Sequence, residues 1–113
     1  CNHVLEHIVN DELAMKEIFR VVKPKGTAIL QVPIDISNPS TIEDYSVKSK
    51  KERNEKFGQY DHVRLYGKDY FDRLKSAGFH VEQNTYVKSL DNEEITKYSL
   101  NINEIIPVCI KLI

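Results

Sequence analysis

Apolar positions in the first part of the chain recur with the spacing of an amphipathic helix. Asn10 is a favourable N-cap, and Asp11 and Glu12 follow it, where acidic side chains stabilise the positive end of the helix dipole. Apolar residues with the spacing of one buried helix face come next, at Met15, Ile18, Phe19 and Val22. Because Pro24 and Gly26 do not continue a helix, we predict that it ends before them.

A nearly continuous apolar run follows this helix at residues 27–32, with the sequence Thr-Ala-Ile-Leu-Gln-Val. Such a run is typical of a strand that is covered on both faces of a parallel sheet. The pattern then predicts a second helix over residues 68–77, and Gly78 follows in the position of a left-handed cap. Its inward-facing residues are Tyr70, Phe71 and Leu74. Helix and buried strand in this order predict an α/β fold.

Two further strands are predicted after the second helix. Apolar and polar residues largely alternate over residues 79–87, which predicts a strand with one face better covered than the other. Residues 105–113 form another apolar run, with Pro107 near its start, where a missing backbone donor is tolerated. The polar residues 88–104 between these strands are interpreted as a loop with one helical turn.

Residues 35–60 are the most polar part of the chain. Ser, Asn, Pro, Lys and Glu dominate them, and the opposite charges nearly cancel. We interpret the segment as a mobile loop with a short helix over residues 43–56. Two roles stay open for it, a solvated surface and a lid on the substrate side, because long loops in compact domains are often functional.

Composition narrows the class of protein without naming a function. The 113 residues are 41% hydrophobic and 29% charged, which suits one modest core, and the net charge of -1 makes nucleic acid an unexpected partner. No apolar run approaches the roughly 20 residues of a spanning helix, so we expect no membrane association and a cytoplasmic location. Cys1 and Cys109 lack a CxxC spacing and are predicted to be buried, unreactive thiols.

Four short blocks of sequence resemble one enzyme family in their order and spacing. The blocks are residues 2–8 (Asn-His-Val-Leu-Glu-His-Ile), 17–26 (Glu-Ile-Phe-Arg-Val-Val-Lys-Pro-Lys-Gly), 61–67 (Asp-His-Val-Arg-Leu-Tyr-Gly) and 74–79 (Leu-Lys-Ser-Ala-Gly-Phe). Together they resemble the class I S-adenosylmethionine (SAM)-dependent methyltransferases, and they span nearly the whole chain. The two final strands fit the resemblance, because the sheet of this family ends in an antiparallel hairpin.

The resemblance implies that residues 1–113 are the C-terminal part of a single methyltransferase domain with a Rossmann-like sheet. The chain would start at the end of strand 4, continue through a helix, strand 5 and a second helix, and close with antiparallel strands 6 and 7. The N-terminal half, which binds most of the cofactor in this family, is expected to be absent, since the chain has no GxGxG turn. We therefore expect weak or no SAM binding, and no activity, from this chain alone.

Candidate site residues follow from the edge at which such sheets bind ligands. Open α/β sheets bind at the carboxyl ends of strands where the winding reverses. In the family, the strand that ends at Asn2 flanks this crevice, so Asn2 and His3 are the predicted cofactor contacts. Pro33 and Asp35 end the next strand and, with Arg64, are predicted to lie on the substrate side.

His3, Glu6 and His7 form an HxxEH motif, which zinc metallopeptidases also use inside a helix. We reject that function because the predicted helix begins only after the motif. The segment is also similar to two metal-dependent methyltransferase groups, the small-RNA 3′-terminal 2′-O-methyltransferases and the ubiquinone-pathway O-methyltransferases, which carry ExxEH here. His3 replaces the first glutamate, and Asp61-His62 resembles a pair that brings another ligand histidine in the RNA enzymes. A metal site at His3, Glu6, His7 and His62 stays open but is not favoured, since Leu-Glu-His is common in the family without metal.

His62 has two further interpretations. It is a candidate general base for the methyl acceptor, because an unperturbed histidine titrates near neutral pH, or it is structural. For the whole chain, the first functional hypothesis is transfer of the SAM methyl group to an oxygen, nitrogen or carbon of a small or medium acceptor. The alternative is a non-catalytic half-domain that forms a homodimer through an exposed sheet edge.

Overall fold

The computed structural model describes residues 1–113, and helices and short strands alternate along the chain. The helices are α1 (Asp11–Val21), α2 (Lys50–Phe57), α3 (Tyr70–Ser76) and α4 (Asn92–Lys97), with 3-10 turns at Leu5–His7 and Tyr86–Ser89. The strands are β1 (Thr27–Ile29), β2 (Ile42–Glu43), β3 (Arg64–Leu65), β4 (His80–Asn84) and β5 (Ile106–Ile110). The predicted mixed α/β class is confirmed.

The main sheet has the order β1-β5-β4, and both pairings are antiparallel. Ala28 in β1 and Val81 in β4 both pair with Cys109 in the central strand β5. On the other side of β1 the sheet is extended by a parallel bridge between Asn2 and Gln31. The predicted antiparallel pairing of the last two strands is therefore confirmed, and α4 is the helical turn expected between them.

A second, two-stranded sheet pairs β2 with β3 and was not predicted. Ile42 lies opposite Leu65, and Glu43 opposite Arg64. Tyr66, which directly follows β3, also forms an isolated parallel bridge with Ile34. This small sheet fixes the polar segment that follows β1 against the segment that precedes α3.

Helices α1 and α3 bury their apolar stripes in one core with the inner face of the main sheet. The core residues are Leu5, Met15, Leu30, Val32, Tyr66, Tyr70, Phe71, Leu74, Phe79 and Cys109. Asn10 Oδ1 accepts a hydrogen bond of 3.1 Å from the Leu13 N–H, as expected for an N-cap. Gly78 takes the left-handed conformation after α3, at φ 117°.

The expectation that residues 27–32 are covered on both faces is wrong. Leu30 and Val32 belong to the core, and Ala28 packs against it, but the side chain of Ile29 points to the opposite face and is 53% exposed. The reason is that side chains alternate along a strand, and the core-forming helices of this chain cover one face only. An apolar run indicates capacity for burial on both faces, not the presence of two covering layers.

The helix predicted over residues 43–56 starts later, at Lys50. Ser49 is its N-cap, and Ser49 Oγ accepts a hydrogen bond of 3.2 Å from the Glu52 N–H. Glu43 lies instead in β2. Val47 and Phe57 are buried, so residues 35–60 pack against the rest of the protein at these two positions and do not form an entirely solvated surface.

The remaining corrections concern the end of the chain and its thiols. The strand predicted over 79–87 ends at Asn84, whose Oδ1 accepts a 2.8 Å hydrogen bond from the Tyr86 N–H and turns the chain. The last strand ends at Ile110. Cys109 is buried as predicted, but Cys1 is exposed. None of the helices has the length and apolar character that crossing a membrane requires.

Candidate functional site

A cleft of about 460 Å³ opens at the carboxyl end of β1, next to the bridge made by Asn2. His3 lines the cleft and takes a left-handed backbone conformation, with φ 54°. Its N–H donates to the Gln31 carbonyl at 2.8 Å, and the Gln31 N–H donates to the Cys1 carbonyl at 3.1 Å. These two hydrogen bonds hold the start of the chain beside β1 and leave the His3 side chain exposed.

The cleft brings together part of the predicted cofactor and substrate residues. His3, predicted on the cofactor side, and Pro33, predicted on the substrate side, both line it. Asn2 is exposed at the adjacent sheet edge. Asp35 does not line the cleft: its carboxylate accepts hydrogen bonds from the N–H and Oγ of Ser37, and its own N–H donates to Tyr66 at 2.8 Å.

Arg64 lies in the interior, so its predicted place on the substrate side is wrong. Its side chain is 0% exposed, and its guanidinium donates to the carbonyls of Leu5, Ile8 and Val9. Its Nε also lies 2.6 Å from Glu43 Oε1. All three nitrogens therefore have partners within the chain, and none is free for an acceptor.

Arg64 is part of a partly buried network of charges at the small sheet. Arg73 binds Glu43 Oε2 and Asp11 Oδ2, each at 2.8 Å, and the Tyr66 hydroxyl donates to the same Asp11 oxygen at 2.6 Å. The hydrogen bond from Arg73, together with that from Arg64, lowers the pKa of Glu43 to about 2 although burial opposes the shift. Burial and the Asp11 carboxylate raise the pKa of Tyr66, so its hydroxyl stays a donor. The network links the small sheet to both core helices, because Glu43 lies in β2, Asp11 in α1 and Arg73 in α3.

Glu6, His7 and His62 form a second cluster, in which one ligand atom from each residue lies within 4.8 Å of the others. The two imidazole rings meet edge to face, with centroids 4.7 Å apart. Glu6 is 1% exposed, and neither carboxylate oxygen accepts a hydrogen bond, although Oε1 lies 3.3 Å from His7 Nε2. Two imidazoles and a carboxylate are a donor set that suits a divalent transition metal. His3 is not part of this cluster.

The side chain of His62 contacts neighbouring residues and lies outside the cleft. It is 8% exposed, and its Nδ1 lies 3.3 Å from the Phe57 carbonyl oxygen. His7 Nδ1 lies 3.4 Å from Asp61 Oδ2, which fixes the neighbouring ring. His62 does not line the cleft at His3, so a role as general base there requires the acceptor or the side chain to move.

The start of the chain, which carries His3 and the Glu6–His7 pair, is also where a comparison with known proteins succeeds. Residues 1–30 match the family model described as a methyltransferase domain. The match covers 30 of the 113 residues and agrees with the resemblance to methyltransferases found in the sequence. No curated protein and no solved structure matches the chain.

One wall of the cleft was not anticipated. It comes from the connection between α4 and β5 and consists of Asn101, Asn103, Glu104 and Ile105. The segment at 35–60, which was expected to cover the substrate side, contributes Ile36. A polar connection before an apolar strand carries no signal that distinguishes a ligand-contacting wall from a solvated turn, so the sequence could not identify it.

Proposed function

We propose that this chain is the acceptor-side part of a SAM-dependent methyltransferase with a Rossmann-like sheet. The observation that carries the proposal is the order of the sheet, in which the parallel bridge at Asn2 is followed by β1, β5 and β4. That order agrees with strands 4, 5, 7 and 6 of the family, including the antiparallel closing pair. The match over residues 1–30 supports the same assignment, because it includes Asn2 and β1.

The residues present fit only the methionine end of SAM. The cleft beside His3 and Pro33 has room for a small group, and His3 is exposed at the edge where the strands end. When bound, SAM supplies an activated methyl group on a sulfonium, so alignment of donor and acceptor provides much of the rate. His3 and Asn2 would contact the methionine end of the cofactor. Pro33 and the opposite wall would position the acceptor and exclude water.

A titration with S-adenosylhomocysteine, followed by amide NMR of the ¹⁵N-labelled chain, tests this proposal. We expect weak binding that shifts the amides of Asn2, His3 and Gln31 first. His3→Ala should weaken binding at least about threefold, since one contact contributes on the order of 1 kcal/mol. His80→Ala, which changes an exposed histidine on β4, is the matched control. Shifts confined to other parts of the chain, or equal effects of the two variants, would contradict the proposal.

A divalent cation at Glu6, His7 and His62 is a second proposal for the same chain. The observation that favours it is the buried carboxylate of Glu6, which has no hydrogen-bond partner. An uncompensated buried carboxylate is costly, and a cation between it and the two imidazoles would offset that cost. None of these three residues lines the cleft at His3, so such a cation would polarise a hydroxyl acceptor only if the acceptor reached the turn that carries Glu6 and His7.

Metal binding is measured without any reaction. Calorimetric titration of the chain with Mn²⁺ and with Zn²⁺ should give one site, and Glu6→Gln and His62→Ala should each weaken it at least about tenfold. His3→Ala and His80→Ala should leave the affinity unchanged, because neither residue is in the cluster. Equal losses in all four variants, or no saturable site, would contradict a metal at this place.

The non-catalytic alternative depends on an open sheet edge. β4 is the edge strand, and its side chains are mostly exposed. They include His80 and Glu82, however, and charged side chains on an edge oppose pairing with another strand. Sedimentation analysis at increasing concentration would detect a dimer, and a constant monomer mass would remove this alternative.

A further inference from the structure

We infer that the cleft at the end of β1 selects a group that donates hydrogen bonds and carries no negative charge, an amine or an uncharged hydroxyl, and that Glu104 makes this selection. The inference rests on the proposed function in one respect only, which is that the bound group is the methyl acceptor. The charge preference itself is a property of the cleft.

The wall that carries Glu104 is built in place by hydrogen bonds. Gln31 Nε2 donates to Glu104 Oε1 and, at 3.4 Å, to the Ile105 carbonyl, which ties the wall to the strand beneath it. The Glu104 N–H donates to the Asn101 carbonyl at 3.0 Å, and the Asn103 N–H donates to Asn101 Oδ1 at 2.9 Å. Glu104 is therefore positioned by its own turn and by the sheet.

Two titratable side chains line the cleft, Glu104 in the wall and His3 near the start of the chain. Glu104 is the carboxylate among the lining residues, and neither Lys nor Arg lines the cleft. Asn101 and Asn103 add uncharged amides, which can donate or accept, whereas Gln31 binds Glu104 through its Nε2 and leaves its Oε1 as an acceptor without a partner in the chain. A carboxylate with neither Lys nor Arg in the same cleft attracts a cationic or hydrogen-bond-donating group and repels an anion, and a cleft strengthens this effect.

Apart from His3, the rest of the cleft is apolar. Its other lining residues include Val32, Pro33, Ile34, Ile36 and Ile105. An apolar surface beside a few polar groups is the usual composition of a small-molecule site, in which the apolar part holds the body of the ligand and the polar part orients it. We therefore expect a ligand with an apolar body that ends in an amine or a hydroxyl.

Three probes of one shape separate the charge preferences. Benzylamine, benzyl alcohol and benzoate each place a different polar group on the same ring, and each is titrated into the ¹⁵N-labelled chain. Benzylamine should shift the amides of Gln31, Asn101 and Glu104 most strongly, benzyl alcohol should shift the same amides, and benzoate should bind at least about tenfold more weakly than benzylamine. Benzoate binding as tightly as benzylamine would overturn the inference, as would the failure of any probe to shift these amides.

Two variants assign the selection to the wall. Glu104→Gln should weaken the binding of benzylamine about fivefold and change the affinity for benzyl alcohol by less than about twofold. The reason is that only the amine carries a positive charge, which loses its anionic partner in this variant. Asn103→Lys changes an exposed position and should reverse the order of benzylamine and benzoate. Glu93→Gln on α4 is the control and should change nothing. A preference for benzylamine that persists in both variants would overturn the role of Glu104.

This experiment is independent of the cofactor. If the probes bind as expected and S-adenosylhomocysteine does not bind near His3, the proposed function fails and the charge selectivity of the cleft stands. If S-adenosylhomocysteine binds near His3 and benzoate is preferred, the present inference fails and the proposed function stands.

Discussion

Arg64 Nε lies 2.6 Å from Glu43 Oε1, and this ion pair connects the two halves of the small sheet. The same guanidinium donates to the carbonyls of Leu5, Ile8 and Val9, which lie at the start of the turn that carries Glu6 and His7 and directly after it. One buried side chain therefore positions the polar segment before α2 and the turn at the start of the chain. Loss of its charge partner should disturb both.

Removing the carboxylate charge of Glu43 should destabilise the fold. Glu43→Gln leaves the buried Arg64 with Asp11, at 3.7 Å, as its remaining anionic neighbour. We expect the free energy of unfolding to fall by about 2–3 kcal/mol, less than for a fully buried pair because Glu43 is partly exposed. Urea denaturation measures the change. Glu55→Gln, an exposed position on α2, should change it by less than about 0.5 kcal/mol. Equal effects at the two positions would contradict a structural role for the pair.

The same carboxylate predicts a dependence of stability on acid. The pKa of Glu43 is lowered from 4.5 to about 2 by the hydrogen bond from Arg73, which outweighs burial, and by that from Arg64. A lowered pKa in the folded state means that the stabilisation is complete above about pH 4.5 and is lost as the pH falls toward about 2. Urea midpoints of the wild type should fall across this range. Those of Glu43→Gln should fall less, and parallel curves would contradict the assignment.

The fold was predictable where local signals coincide, and the charge network was not. Helix α1 combines an N-cap at Asn10 with apolar spacing, so its start follows from neighbouring residues. The partners Glu43 and Arg64 are 21 residues apart, and each lies in a polar segment. Nothing local separates a charged residue that will be buried from one that stays in solvent, because the difference depends on which elements meet in the fold.

The candidate site shows the same division. The carboxyl ends of strands could be located from sequence, and the cleft does contain His3 and Pro33. The resemblance also singled out Glu6, His7 and His62, which the fold brings together without His3. Arg64 and the wall at Glu104 could not be placed, because both depend on contacts between segments far apart in the chain.

Glu6 gives a prediction about stability in the absence of metal. Its carboxylate is buried with no hydrogen-bond partner, so Glu6→Gln should raise the free energy of unfolding by about 1 kcal/mol in a chelating buffer. Urea denaturation provides the measurement, with Glu55→Gln as the exposed control. A loss of stability instead would mean that Glu6 has a partner in the metal-free chain.

The two cysteines should differ strongly in reactivity. Cys1 is exposed, whereas Cys109 is 0% exposed and burial raises the pKa of its thiol to about 11. Because the thiolate is the reactive form, a thiol-specific reagent near pH 8 should modify Cys1 at least about 1000 times faster than Cys109. Cys1→Ser should therefore abolish the fast phase. A fast phase that survives this substitution would show that the core around Cys109 opens readily.

Gly78 and Gly58 allow a comparison of backbone strain with steric contact. Both have positive φ, at 117° and 86°, but a Cβ on Gly78 would lie 2.9 Å from the Phe19 ring, whereas a Cβ on Gly58 would meet nothing within 4 Å. Gly58→Ala should lose about 1 kcal/mol, the ordinary cost of a side chain in the left-handed region. Gly78→Ala should lose about 1–2 kcal/mol more, because a crowded core side chain must move.

The additional loss at Gly78 should depend on the Phe19 ring, which packs edge to face on Phe79 at a centroid distance of 5.1 Å. In a double-mutant cycle, Phe19→Leu removes the ring that a new Cβ would touch, so Gly78→Ala should cost less in that background than in the wild type. Gly58→Ala should cost the same in both backgrounds. Urea denaturation of the six proteins measures the coupling, and additive losses at Gly78 would mean that strain alone accounts for the glycine.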